Sequence, residues 1–229
     1  AVITGVGALS DALRSGFERQ GQTILGGDVT LARSHKRSDG AERAWIMSRG
    51  RMSETATMRA MARTRDGEEQ ALIELKGLDR AYPLVGDMRL EGGATLDAAV
   101  RGLPGAAVDP ILLERLKVKV GDRITIGALE VAITAVIVHE PDTISDRLAY
   151  GARVMVSLET LEKTGLVQPG SLIRWRYTLL LAGAADKQGL VAFRDAVKAA
   201  LPEAGFIVAD RRDPSPQVTR TLDRLRQFL

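Results

Sequence analysis

His139 stands beside two carboxylates, in the run His139-Glu140-Pro141-Asp142. A histidine with an adjacent acid could act as a general base, but it then needs a nucleophile presented to it. No GxSxG-type elbow occurs to present a serine, so the expectation is a strand-end histidine near solvent. The other histidine, His35, falls in the polar loop SHKRSDG. There is no cysteine, which removes disulfides, thiolate metal sites and cysteine nucleophiles together. Metal ligands would have to be carboxylates, and Glu140-Pro141-Asp142 lacks the dense spacing of a calcium loop. Two glycine clusters, GVG (5–7) and LGGD (25–28), lack the strand-to-helix setting that cradles phosphate, and read as backbone punctuation. The expectation is therefore no catalytic, cofactor or metal site in this chain.

A second charged stretch is IELKGLDRAYPLVGDMRL (73–90). Glu74 and Lys76 alternate with Ile73 and Leu75, so they read as the solvated face of a strand that breaks at Gly77. The segment from Gly77 to Pro83 then marks a passage from one subdomain to another.

Composition agrees with a scaffold. The 229 residues are 45% hydrophobic and 27% charged, ordinary values for a folded chain with room for a core. Net charge is only +3 and aromatics are 4%, with basic residues scattered among acids, which argues against nucleic-acid binding. No apolar run reaches the roughly 18 residues of a membrane-spanning helix, and nothing resembles a signal peptide. The chain begins at Ala1, and both ends fall in helical patterns, so the expectation is a piece of a longer protein.

The elements follow from periodicity. Ile3, Val6, Leu9, Leu13, Phe17 and Ile24 form a narrow helical stripe that ends at Gly26-Gly27. DVTLARS (28–34) reads as a strand, and a short helix follows, capped by Ser38 or Asp39. Met52, Ala56, Met58, Ala60 and Ala62 fall at even positions and Ser53, Thr55, Thr57, Arg59 and Arg63 at odd ones, which predicts a strand; Asp66-Gly67 turns it into ALIEL (71–75). Asp109-Pro110 opens a helix with Ile111, Leu112 and Leu116 in a row. Gly121-Asp122 then leads to a strand with Ile124 and Ile126, which folds back through Leu129, Val131 and Ile133. Trp175, Tyr177, Leu179 and Leu181 share one strand face, and Leu190, Phe193, Val197 and Leu201 one helix face. FIVA (206–209) reads as a buried strand before a last helix striped by Val218, Leu222, Leu225 and Leu229. The predicted fold class is α+β. Residues 1–80 with 172–229 form an α/β (βαβ-type) subdomain built from both ends, and residues 81–171 form an inserted β-rich subdomain. The two terminal stripes, with Val6, Leu9, Leu13 and Phe17 facing Val218, Leu222 and Leu225, are expected to pair as a stalk.

Four segments carry a family resemblance: LGGDVTLARS (25–34), ELKGLDRAYPLVGDMRL (74–90), AAVDPILLERLKVKVGDRITIG (106–127) and RVMVSLETLEKTGLVQPGSLIRWRY (153–177). In their order and spacing, the chain resembles the large extracytoplasmic domain of the MacB/FtsX-like ABC transporter permeases, in particular the YbbP-type branch. The resemblance covers essentially the whole chain. It implies a non-catalytic periplasmic domain of an inner-membrane protein, held to the membrane by flanking helices. It implies coupling of ATP binding and hydrolysis to periplasmic movement, for export or extraction of a lipid-like or hydrophobic substrate. The domain itself would hold no cofactor, since ATP binds a separate cytoplasmic ATPase subunit. Further implied partners are a second permease copy and a periplasmic lysophospholipase/thioesterase. The alternative from the residues is a lipid- or peptide-binding module, with Tyr82, Trp175 and Tyr177 bordering an apolar cleft, or a cell-envelope hydrolase using His139.

Overall fold

A helical turn over 20–25 ends at Gly26, whose φ of 80° is the left-handed conformation that closes helices and suits glycine. In the computed structural model, residues 20–102, 104–142, 151–183 and 185–213 are described. After the turn come β1 (Val29–Ser34), α1 (Gly40–Met47), the long hairpin β2 (Gly50–Thr64) and β3 (Gln70–Leu78), and the short β4 (Arg89–Leu90). Next are α2 (Leu96–Arg101), β5 (Gly105–Val108), α3 (Pro110–Leu116), β6 (Arg123–Ile126) and β7 (Leu129–His139). The chain continues through β8 (Ala152–Ser157), α4 (Leu158–Lys163), β9 (Ile173–Leu181), α5 (Lys187–Ala200) and β10 (Ile207–Asp210). The fold is α+β, as predicted.

Local chemistry accounts for the helix starts. Asp39 accepts from the Glu42 amide while the Glu42 carboxylate accepts from the Asp39 amide, a capping box that satisfies two orphan donors. Asp109 caps α3 with Pro110 in the first turn, where no amide donor is needed. Within α3 the inward residues are Leu112 and Leu116; Ile111, expected in that row, is exposed, and Leu113 is the one that packs partly against the core.

Ten strands form one sheet in the order β10-β1-β9-β2-β3-β8-β5-β7-β4, with β6 bonded to β2 and β7. Most neighbours run antiparallel; β3 with β8, and β5 with β7, run parallel. The sheet buries both faces over part of its width. One face carries Leu31, Trp175, Tyr177, Ile73, Leu75 and Val154 against residues of α3, α4 and α5. The other carries Leu78, Ala107, Ala135, Ile137 and Met155 against α2. Ile133 and Ala135 reach opposite cores although they are two residues apart, because the β5–β7 register shifts between Ala106 and Ala107.

Two strand expectations are corrected. β3 does not break at Gly77 but runs on to Leu78, and a Cβ at Gly77 would lie 2.7 Å from Leu161 Cδ2. Glycine is there because α4 presses on the strand, not because the strand ends. The 206–209 strand is buried only in part: β10 lies at the sheet edge beside β1, with Ile207 41% exposed and Ala209 buried.

Candidate functional site

The two ends of the described chain meet. A Cβ on Gly21 would fall 1.6 Å from the Arg211 carbonyl oxygen, so the helical turn and the segment after β10 touch backbone to backbone. The Arg211 amide donates to the Asp28 carbonyl at 3.0 Å, and the Asp28 amide donates to the Leu179 carbonyl at 2.8 Å. The buried Asp28 carboxylate accepts from the Leu181 amide at 3.0 Å and from Gln22 Nε2 at 2.9 Å. Asp28 thereby ties the incoming turn, β9 and the outgoing segment together. LGGD is punctuation, as expected, and also this joint. Truncating Asp28 to alanine leaves the Leu181 amide without its acceptor, which lowers stability by about 1–3 kcal/mol. Denaturant unfolding measures the loss, and amide exchange at Leu181 accelerates with it.

From this joint the chain touches a charged cluster. A Cβ on Gly26 would lie 3.3 Å from the Asp142 Cβ. Lys76 Nζ, on β3, donates to Glu140 Oε1 at 2.7 Å and to both Asp142 oxygens at 3.2 Å, and meets the Tyr82 hydroxyl at 3.1 Å. The Tyr82 hydroxyl donates to Asp142 Oδ1 at 2.5 Å. Arg153, on β8, takes the other Glu140 oxygen at 3.1 Å and Glu74 at 2.8 Å. Burial opposes ionisation of Glu140, yet Lys76 and Arg153 hold its carboxyl below the usual range. Burial likewise opposes ionisation of Asp142, and Lys76 with the Tyr82 hydroxyl holds it below. Burial, then the Asp142 charge, pushes the Tyr82 phenol well above its ordinary value. At neutral pH the Glu140 and Asp142 carboxylates are thus ionised beside a neutral phenol.

This overturns the solvated assignment of the charges on β3. Lys76 is 6% exposed, and Glu74 is half-buried against Arg153. Alternation correctly put both opposite Ile73 and Leu75, but that face is covered by Tyr82 and the 140–142 segment. A parallel case is Glu54, 1% exposed at the start of β2, which accepts from Arg37 at 2.6 Å and from Arg43. Sequence reasoning passed over it because it lies on the apolar side of an alternating strand.

The remaining candidates are dispersed. His139 is exposed at the end of β7, opposite Arg89, and His35 Nδ1 is 3.0 Å from the Ser171 carbonyl. Tyr82 does not join Trp175 and Tyr177 in a cleft, since it packs on the second core while they fill the first. Among the described residues, no group of three His, Asp or Glu side chains is disposed to hold a metal ion. Nor is any helix among them long and apolar enough to cross a membrane. The stripe residues Val6, Leu9, Leu13 and Phe17, and Val218, Leu222 and Leu225, lie outside the described residues, as do GVG (5–7) and the last predicted helix.

No family model matches the chain. Over 182 residues, 77% of the chain, it is 29% identical to the uncharacterized ABC transporter permease YbbP of Escherichia coli (strain K12), and it spans 21% of that relative's length. Two solved structures share its fold. The periplasmic region of MacB from Actinobacillus actinomycetemcomitans superposes with a TM-score of 0.57, at 10% identity over 88% of this chain and 95% of that one. The extracellular domain of the noncanonic ABC-type transporter YknZ from Gram-positive bacteria gives 0.54, at 13% identity over 80% of this chain and 100% of that one. Both are regions that lie outside the cytoplasm, and the resemblance to MacB/FtsX-like permeases read from the sequence stands.

Proposed function

We propose that this chain, with its fold of a MacB/FtsX-like extracytoplasmic domain, is the periplasmic part of an ABC transporter permease in an inner membrane. It carries movement rather than chemistry. The observation that supports this most directly is the joint at Gly21, Asp28 and Arg211. The chain enters and leaves the sheet at one place, and a displacement of either end reaches β9 through Asp28. It reaches β3 and β8 through Gly26, Asp142 and the Lys76 cluster. A stiff ionic cluster suits this role, since close-packed interiors transmit strain instead of absorbing it. On this reading, ATP is bound by a cytoplasmic ATPase subunit, the substrate is lipid-like or hydrophobic, and a second permease copy and a lysophospholipase/thioesterase are candidate partners. The division into residues 1–80 with 172–229 and residues 81–171 belongs to the same reading; the strands of both parts share one sheet.

The test uses the whole permease. A cysteine replaces Leu172, which is 82% exposed, in an otherwise cysteine-free protein expressed in intact cells. A membrane-impermeant maleimide labels it without lysis if the domain lies outside the cytoplasmic membrane and has access through the outer envelope. Labelling only after the inner membrane is opened refutes the placement. A spin-label pair at Gln22 and Arg212 in the reconstituted transporter then reads coupling. The distance distribution changes between nucleotide-free and ATP-bound states, and an invariant one refutes movement through the joint.

A further inference from the structure

On β9, Arg174 and Arg176 point to the same face of the sheet, the face opposite Trp175. Arg174 lies opposite Ser34 on β1 and Thr57 on β2; Arg176 lies opposite Ala32 and Thr55. The two arginines therefore leave a central strand from Cα atoms about 7 Å apart, with Ser34, Thr55 and Thr57 on strands about 5 Å to either side. Several neighbouring arginines are matched: Arg33, Arg37, Arg43 and Arg153 each meet a carboxylate. Among the described residues, Arg174 and Arg176 have no hydrogen bond or ion pair. Asp142 feels the Arg176 charge, but its oxygens are bonded by Lys76 and Tyr82. Arg174 is exposed and Arg176 half-buried.

Like charges side by side without a carboxylate bonded to either are unfavourable, and the molecule keeps them where solvent reaches them. We infer that Arg174 and Arg176, with the Thr57 and Ser34 hydroxyls beside them, form a binding site for a phosphate group. The guanidinium fork offers parallel N–H donors that match phosphate oxygens two at a time, and serine and threonine hydroxyls serve the remaining oxygens. Although the residue as a whole is exposed, desolvation of its guanidinium, then the Arg176 charge, pushes the Arg174 pKa down, in keeping with a pair that an oxyanion would relieve. The phosphate belongs either to a lipid headgroup or to a free anion. The inference is independent of whether the chain sits in a transporter.

The 229-residue chain is titrated calorimetrically with inorganic phosphate. In parallel it is sedimented with vesicles of phosphatidylglycerol in phosphatidylcholine, and with phosphatidylcholine alone. Binding in either arm supports the site, and the arm that responds identifies the source. Arg174→Ala with Arg176→Ala weakens that binding about tenfold or more, and the double lysine variant, which keeps the charge but loses the fork, also weakens it. Arg115→Ala with Lys119→Ala removes the same charge from an exposed surface elsewhere and changes affinity by less than about twofold. Thermal melts confirm that each variant folds. Absence of binding in both arms overturns the inference. So does unchanged affinity in the alanine variant, or an equal loss in the control pair, which would mean diffuse charge attraction.

Discussion

Replacing Lys76 with methionine lowers stability by about 3–5 kcal/mol at neutral pH, because it strands buried carboxylates whose charge the ammonium had matched. For a chain of this size, that corresponds to a fall in Tm of about 6–20 °C. The side chains of Lys76, Glu140 and Asp142 are 8%, 1% and 7% exposed, so water cannot take over when the ammonium is removed. The pH dependence identifies the cause. In the native protein both carboxyls titrate below their ordinary values of 4.5 and 3.8, so their contribution is present above those values and lost as pH falls through the lower native ones. Without Lys76, burial of Asp142 is opposed by the Tyr82 hydroxyl and Arg176, and that of Glu140 by Arg153, which Glu74 shares. Both carboxyls then titrate higher, and the variant loses stability as pH rises through them. The gap between the two proteins is therefore widest near pH 7 and narrows toward pH 4, as denaturant unfolding at several pH values will measure. A gap that stays constant with pH would assign the loss to packing.

Glu54 sets the scale for this expectation. It is as buried as Glu140, but its partners Arg37 and Arg43 are 40% and 36% exposed and can return to water if the carboxylate is lost. Ion pairing alone does not decide the cost; what decides it is whether the group left behind can be hydrated.

The same distinction explains what was legible in the sequence. Alternation placed Lys76 on the opposite face from Leu75, and caps placed the starts of α1 and α3, because those are relations among residues a few positions apart. What lies over a face is not such a relation. Lys76 is covered by Glu140 and Asp142, 64 and 66 residues further on, and no local period encodes their arrival. Gly77 shows the limit from the other side: a glycine in a strand signals either a break or a close approach, and only α4 decides between them. Arg174 and Arg176 alternate with Trp175 and Tyr177 and so share the opposite face, but their lack of carboxylate partners among the described residues depends on acids distant in the chain. Tyr82, Trp175 and Tyr177 failed as a cleft for a related reason, since residue type does not say which side of a continuous sheet an aromatic reaches.

Trp175 separates a core role from a ligand role. It is 2% exposed and lies between Arg33 on β1 and Ala56 on β2. Truncation to alanine opens a cavity in the first core and lowers stability by about 3–5 kcal/mol. The Arg37 guanidinium sits 4.9 Å from the ring centroid, but such a contact at a partly exposed site contributes only about 0.5–1 kcal/mol, so the cavity dominates. An open groove of about 360 Å³ runs past the ring edge between Arg37, Glu162 and Pro169. Were the ring the floor of a ligand site instead of a filler of the core, Trp175→Ala would unfold at the same denaturant concentration as the parent. A phenylalanine variant refines the comparison. It keeps an aromatic face under Arg37 and much of the buried volume, so it recovers most of the loss if packing is the cause. An alanine variant as stable as the parent would return Trp175 to the surface chemistry of that groove.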